Sequence, residues 1–138
     1  MQLTEEMALE AYARMINTLD ASHLEPLLAE DFHYASQMVF GEIESKLEYL
    51  DYIVPKLETI GRSDSQAWAE MGWLGHGSHT KPCVVLAQGD SDELVALVLT
   101  KVDDGEIKRL DLCIAPHPQT AQRSGVYPGL SSGNSATT

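Results

Sequence analysis

Residues 19–36 read Leu-Asp-Ala-Ser-His-Leu-Glu-Pro-Leu-Leu-Ala-Glu-Asp-Phe-His-Tyr-Ala-Ser, and this stretch decides the fold. Ser22 is a good N-cap residue, which predicts that a first helix ends before it and that a short helix follows over 23–29. The alternation over 32–36 then predicts a strand, because successive strand residues point to opposite faces of a sheet. One segment thus sets the order helix, short helix, strand.

A long helix is predicted on each side of this stretch. Over 4–19 apolar residues recur at spacings of three and four behind a Thr4 N-cap. Ser45 and Glu48 form a capping box at the start of the second helix, which we expect to kink at Pro55 and to end at Gly61. Its expected buried face consists of Leu47, Leu50, Val54 and Leu57.

After Gly61 the apolar period changes from about 3.6 to 2, which predicts strands. The expected strands span 65–74, 82–88, 93–102 and 106–114, with a short additional strand at 38–40. Helices followed by a strand meander indicate an α+β fold, with the N-terminal helices packed on a curved antiparallel sheet. We expect one domain over 1–115, followed by a Pro/Gly/Ser-rich tail over 116–138 that is mobile unless a neighbouring element holds it.

The charge and the composition exclude several classes of function. The 138 residues carry a net charge of −12, so the chain lacks the basic surface that nucleic acids and anionic lipids require. No segment is apolar enough to span a membrane, and the acidic N-terminus does not look like a secretory signal, which predicts a cytoplasmic protein. Cys83 and Cys113 are expected to be buried thiols, without a cofactor or a metal.

The order of elements resembles the nuclear transport factor 2-like superfamily, which includes SnoaL-like proteins, over roughly residues 4–115. The matching motifs are Leu-Asp…Leu-Leu-Ala-Glu-Asp-Phe over 19–32, Ser-Lys…Tyr-Leu over 45–50 and Asp-Gly-Glu-Ile over 104–107. The resemblance implies a cone with a central pocket between the sheet and the helices, and a homodimer formed through the convex sheet face. Members include isomerases, cyclases, hydrolases and transport factors, so the fold does not select a function.

Steroid isomerases of this superfamily offer a sharp test, because they use an Asp base and an oxyanion hole built from a Tyr and a protonated Asp. Aligned on this chain, the three positions fall on Ser36, Met15 and Leu97. Serine without a neighbouring base accepts protons poorly, and neither Met nor Leu donates a hydrogen bond. The resemblance therefore argues against isomerisation by that machinery.

The resemblance and the strand parity together predict a mainly apolar ligand pocket. The predicted lining consists of Tyr12, Met15, Ile16, Leu50 and Val54 from the helices, Leu97, Leu99, Leu110, Leu112 and Ile114 from the sheet, and Tyr34, Ser36 and Trp68 as polar contacts. The opposite face of the last strand would then present Ile107, Arg109, Asp111 and Cys113. The alternative is that the same side chains simply fill the core.

Other polar residues are weaker candidates. His76 and His79 share a Gly-rich loop but do not have the spacing of a metal site. His33 is an acid/base candidate, although its parity points it away from Tyr34. Asp111 is expected to pair with Arg109 rather than to face a cavity. Trp68 and Trp73 should lie on opposite faces of one strand, whereas Tyr49 and Tyr52 are expected at the surface or the pocket rim.

Three functions remain open. The leading hypothesis is a protein that binds an apolar small molecule. One alternative is a pocket enzyme, similar to the cyclases, dehydratases or hydrolases, that acts on an apolar substrate. The other is a protein-interaction module that uses the convex sheet face.

Overall fold

The computed structural model of the chain describes residues 2–39 and 41–130. Two helices and seven strands follow one another along the chain: α1 Glu5–Thr18, β1 Leu28–Ser36, β2 Glu42–Ile43, α2 Lys46–Arg62, β3 Ala67–Leu74, β4 Lys81–Gln88, β5 Leu94–Asp103, β6 Glu106–Cys113 and β7 Gln122–Arg123. Short 3₁₀ turns occupy Ala21–His23, Glu25–Leu27 and Pro118–Thr120. No helix among the described residues is long and apolar enough to cross a membrane.

The helix starts follow the capping chemistry of the sequence. Thr4 Oγ1 accepts from the Met7 N–H at 3.1 Å, and Ser45 Oγ accepts from the Glu48 N–H at 3.1 Å. Both bonds satisfy amides that a helix N-terminus leaves without an intrahelical partner. The predicted end of α2 at Gly61 is wrong, because the helix runs without a break past Pro55 and Gly61 to Arg62.

The sheet confirms the α+β fold but is mixed rather than antiparallel. Its strand order is β2-β1-β6-β5-β4-β3-β7. β1 and β6 pair in parallel, with Tyr34 opposite Leu110, while every other neighbouring pair is antiparallel. The parallel pair joins the first and last long strands, β1 and β6. The helices pack on one face of the curved sheet.

Two local predictions in the stretch 19–44 are wrong. The short helix over 23–29 is replaced by the two 3₁₀ turns, and β1 begins at Leu28 rather than at Phe32. No strand forms at Met38 and Val39, which lie in an exposed turn; Phe40 lies outside the described residues. The short strand instead forms at 42–43, where it pairs with the end of β1.

The main core lies between the helices and the sheet, and a smaller apolar cluster covers the other face. α1 buries Leu9, Tyr12 and Met15 against the sheet. The smaller cluster consists of Cys83, Val85 and Leu97, with Leu74, Leu94, Leu99 and Ala121 packed around it. Both cysteines are buried and free, as predicted, and burial raises the pKa of the Cys83 thiol to about 11.

The first part of the C-terminal segment is held by its neighbours. β7 pairs with β3, and the N–H of Met71 donates to the carbonyl of Val126 at 2.9 Å. Pro128 is buried, and its carbonyl accepts from Asn17 Nδ2 at 2.8 Å. Residues 116–130 therefore pack on β3 and α1, while 131–138 lie outside the described residues.

Candidate functional site

One face of α2 forms a wall of a cavity of about 270 Å³. The residues on this face repeat at spacings of three and four, as a helix requires for residues that share a side. α1 and strands β1 and β3 to β6 supply the other walls. The lining consists of Tyr12, Ile16, Tyr34, Tyr49, Tyr52, Ile53, Lys56, Thr59, Ile60, Ser63, Ser65, Ala67, Leu86, Ala87, Gln88, Val95 and Leu112.

An aromatic cluster forms one end of the cavity. The ring of Tyr49 lies 5.0 Å from that of Phe32 and 5.2 Å from that of Tyr34, measured between centroids. Tyr52 lies 5.7 Å from Tyr34 and covers it from the solvent side, where its own side chain is 36% exposed. Tilted and edge-on pairs at these distances add to the burial of the rings. This end of the cavity thus carries several phenol groups.

Burial sets the protonation of these phenols. Desolvation, with a smaller contribution from neighbouring phenols, raises the pKa of Tyr12, Tyr34 and Tyr49 well above the ordinary value for tyrosine. A buried phenolate would have no compensating cation in the cluster, so the neutral form is favoured. The three groups are therefore O–H donors and acceptors at neutral pH, and none of them acts as a base.

The hydroxyl of Tyr49 is the exceptional group in the cluster. The residue is completely buried, and its oxygen has no hydrogen-bond partner among the residues that the structure describes. Leaving such a group unpaired costs about 1–3 kcal/mol, so native proteins rarely do so without a reason. Tyr49 is also one of the residues that line the cavity.

The mouth of the cavity is polar and nearly uncharged. Thr59, Ser63, Ser65 and Gln88 line it, together with the exposed Lys56. Of the described residues that line the cavity, none is Asp, Glu or His, and Lys56 is the single charged one. The cavity thus offers hydrogen bonds and apolar surface, but no carboxylate or imidazole that could serve as a general base.

Four of the predicted pocket residues line the cavity: Tyr12, Ile16, Tyr34 and Leu112. Val54 does not, because it lies on the exposed side of α2 and lines a separate groove. Met15 and Leu110 are fully buried in the core, and Leu50 packs at its edge.

The β5 part of the prediction fails because the parity was assigned to the wrong face. Val98, not Leu97, pairs with Leu112 and shares its side of the sheet. Leu97 and Leu99 therefore belong to the smaller cluster on the other face. A shift in the β4–β5 register between Leu86 and Ala87 lets Val95 reach the cavity, although Leu97 and Leu99, which have the same parity, lie in the smaller cluster.

The remaining three predicted lining residues also lie elsewhere. Ser36 is at the end of β1, where its hydroxyl accepts from the Met38 N–H at 3.1 Å. Ile114 follows β6 and is 44% exposed. Trp68 faces the outer side of the sheet, donates from Nε1 to the Gly89 carbonyl at 3.1 Å, and packs edge-on against Tyr127.

The sequence interpretation misplaced Tyr49 on α2, whereas Tyr52 is partly exposed and lines the cavity, in agreement with its expected position at the surface or the rim. Leu47 was expected to be buried and is 71% exposed, whereas Tyr49 and Ile53 are buried beside Leu57, which was expected on the buried face. The series Tyr49, Ile53, Leu57 also has the i, i+4 spacing of a buried face. The sequence signal for this buried face was Tyr49, an aromatic residue that directly follows the capping box.

The outer face of β1 and β6 carries an ionic cluster, as parity predicted for His33 and Asp111. Arg109 Nε donates to Asp111 at 3.0 Å, and its Nη1 donates to Glu42 at 2.9 Å. Glu42 also lies 2.6 Å from His33 Nδ1. Hydrogen bonds from Arg109 and His33 lower the pKa of Glu42. Ile107 was expected on this face but is fully buried in the main core, because the β5–β6 register shifts between Ile107 and Arg109.

The histidine loop does not form a metal centre with its neighbours. Among the described residues, no three His, Cys, Asp or Glu side chains lie close enough to hold a metal ion. His76 and His79 form a turn in which the N–H of His79 donates to the His76 carbonyl at 3.0 Å.

Comparison with known proteins identifies the fold. No family model and no curated protein matches the chain. An NTF2-like protein of unknown function from Cytophaga hutchinsonii superposes with a TM-score of 0.56 and 18% identity, covering 86% of this chain and 96% of its own. A Kribbella flavida protein, provisionally assigned as a ketosteroid isomerase, superposes with a TM-score of 0.55 and 19% identity, covering 89% of this chain and 79% of its own.

An LEH-like epoxide hydrolase from M. tuberculosis gives a TM-score of 0.55 at 15% identity, covering 78% of this chain and 80% of its own. These proteins share the architecture described above but few residues, and their names differ in activity, so the likeness concerns the fold. The chain has the NTF2-like fold, as the order of elements over roughly residues 4–115 predicts.

Proposed function

We propose that the protein binds a small, mainly apolar molecule that presents one oxygen atom to the hydroxyl of Tyr49. The observation that carries this proposal is that Tyr49, whose buried hydroxyl has no partner among the described residues, is one of the residues that line the cavity. A carbonyl or hydroxyl oxygen placed there would form the hydrogen bond that the protein itself does not supply.

The size and lining of the cavity support an apolar ligand. Its volume of about 270 Å³ is below the usual range for drug-sized pockets but exceeds the roughly 150 Å³ of an engineered apolar cavity that binds benzene. Isoleucine, leucine, valine and alanine side chains form most of the walls away from the tyrosines. A molecule of one or two rings, or a short aliphatic chain, fits this description.

The choice of binding over catalysis follows from the missing base. General acid–base catalysis needs a group that exchanges protons near the working pH. The phenols of Tyr12, Tyr34 and Tyr49 are held in their neutral form, and the described lining residues include no carboxylate or imidazole. A homodimer formed through the outer sheet face and a cytoplasmic location stay predictions of the sequence.

The test compares 1-tetralone with tetralin, which lacks the carbonyl oxygen, in calorimetric titrations of the purified protein. We expect the wild type to bind tetralone more tightly, by about five- to tenfold for one buried hydrogen bond. Tyr49→Phe removes only the hydroxyl and should bring the two affinities together. It should also raise the melting temperature of the ligand-free protein, because an unpaired polar atom leaves the core.

Tyr52→Phe is the matched control, since it removes a hydroxyl from an exposed ring of the same cluster. It should retain the preference for the ketone. Failure of the wild type to bind either compound would argue against the proposed function. A ketone preference that survives in Tyr49→Phe would show that another group meets the oxygen.

A further inference from the structure

We propose that the ligand is an anion: an apolar body that carries a single carboxylate, which pairs with Lys56 at the mouth of the cavity. This inference rests on the proposed function, because it assumes that the cavity binds an apolar molecule. It adds a charge to the ligand and assigns a residue that selects for that charge.

The charge distribution of the chain makes Lys56 stand out. Acidic residues outnumber basic ones by 21 to 9, so a carboxylate approaching the protein is repelled by its overall field. The described lining of the cavity nevertheless includes no acidic side chain, and its single charge is a cation. The mouth of the cavity is therefore a local exception to the acidic surface.

The ammonium group of Lys56 is not engaged by the protein. No carboxylate lies within 4.0 Å of it among the described residues, and its recorded neighbour is the ring of Tyr52, 5.6 Å from Nζ to the centroid. The acidic residues that follow it in the chain, Glu58 and Asp64, line other grooves. The aromatic face holds the cation near the cavity without neutralising it.

The spacing of polar groups along α2 describes an elongated ligand. Tyr49 and Lys56 lie two helical turns apart, roughly 10 Å along the axis at 1.5 Å per residue. Tyr52 and Ile53 line the interval between them. A molecule with an oxygen at Tyr49, an apolar middle and a carboxylate at the mouth matches this order of side chains.

A monovalent carboxylate suits the site better than a phosphate. One lysine supplies the positive charge, and the other polar groups at the mouth are neutral hydroxyls and an amide. Recognition of a phosphate dianion usually draws on arginine forks or several backbone amides at once. No arginine is among the described lining residues.

The experiment compares 2-naphthoate with 2-acetonaphthone, in which a methyl group replaces the ionised oxygen. Titration calorimetry at low salt should show about two- to fivefold tighter binding of naphthoate to the wild type, the range for an exposed ion pair. The preference should shrink at high salt because the pair is screened. Lys56→Gln should abolish it, and Lys46→Gln, which removes the same charge from α2 outside the cavity, should retain it.

The outcomes separate the two proposals. Equal binding of both compounds to the wild type would overturn the anion preference and leave the proposed function standing. A preference that persists in Lys56→Gln would overturn the role of this lysine. If the wild type binds neither compound, the proposed function fails and the anion preference fails with it. Lys56 is exposed and Lys46 is half-buried, and circular dichroism of the two variants checks that they fold.

Discussion

The side chain of Asn17 on α1 pairs with the backbone of Ala69 on β3 as a neighbouring strand would. Its Oδ1 accepts from the Ala69 N–H at 2.8 Å, and its Nδ2 donates to the Ala69 carbonyl at 2.8 Å. The same Nδ2 donates to the carbonyl of Pro128, also at 2.8 Å. One amide thus fastens the helix, the sheet and the C-terminal segment together.

Replacing this amide should destabilise the fold strongly. Ala69 is fully buried, so in Asn17→Ala its N–H and carbonyl lose their partners without access to water. We expect the free energy of unfolding to fall by about 2–4 kcal/mol, since each unpaired buried group costs about 1–3 kcal/mol. Urea denaturation followed by circular dichroism measures this change.

Thr18→Ala is the neighbouring control. The Thr18 hydroxyl is exposed and bonds the Arg14 carbonyl one turn earlier, so its loss should change stability by about 0.5 kcal/mol or less. Equal effects of the two substitutions would show that the contacts of Asn17 do not hold the structure together.

Arg123 anchors the C-terminal segment to a buried carboxylate. Its Nε donates to Glu70 at 2.7 Å, and the Gly125 N–H donates to the other oxygen at 2.7 Å. Glu70 is 3% exposed, so Arg123→Met leaves a buried charge without its cation. Because Arg123 itself is about one-third exposed, we expect a loss of about 1–3 kcal/mol, less than for a fully buried pair.

Limited proteolysis should show where this stability is lost. In Arg123→Met we expect thermolysin to cleave the Gly125–Val126 bond several times faster than in the wild type, because 116–130 detach from β3 more often. Asp92→Asn is the control, since Arg123 also pairs with this carboxylate, but Asp92 is 78% exposed and such pairs contribute little. Unchanged cleavage in Arg123→Met would mean that other contacts hold the segment.

The sequence predicts the architecture better than it predicts the cavity. The caps at Thr4 and Ser45 and the strand periodicity lie in local residue chemistry, and these elements form where they were expected. Which face of an element is buried depends on its partners. On α2 both the Leu47 series and the Tyr49 series have helical spacing, and the contacts with Phe32 and Tyr34 select the second.

Strand parity fails for a related reason. Alternation predicts faces correctly only while pairing continues without a register shift. The shift between Leu86 and Ala87 places Val95 in the cavity lining, on the side opposite to Leu97 and Leu99. The shift between Ile107 and Arg109 places Ile107 in the main core rather than beside Arg109 and Asp111. Such bulges depend on the neighbouring strand, so a single sequence shows no sign of them.

The buried tyrosines should make the protein sensitive to alkali. The folded state raises the pKa of Tyr12, Tyr34 and Tyr49 above the unfolded value of about 10. Their contribution to stability is therefore complete below pH 10 and is lost as the pH rises above it. Three phenols that ionise only on unfolding reduce the free energy of unfolding by about 4 kcal/mol per pH unit in that range.

Ultraviolet absorbance measures this coupling directly. As the pH rises above 10, the absorbance of the three phenolates at 295 nm should appear together with the loss of the circular dichroism signal at 222 nm. Tyr34→Phe should lower the amplitude of this shared transition by one phenolate. If all five tyrosines ionise before the helices unfold, the cluster is more open to solvent than its burial indicates.

Two glycines of the β3–β4 loop should respond differently to the same substitution. A Cβ on Gly75 would lie 2.0 Å from the backbone carbonyl oxygen of His79, whereas a Cβ on Gly77 would meet nothing within 4 Å. Both residues have positive φ, 94° and 59°, so each alanine has an intrinsic cost, about 1–2 kcal/mol for a left-handed conformation. Gly75→Ala must in addition displace the loop backbone, and we expect it to lower the free energy of unfolding by at least about 2 kcal/mol more than Gly77→Ala. Parallel urea denaturation of the two variants tests this, and equal losses would show that the loop moves aside at little cost.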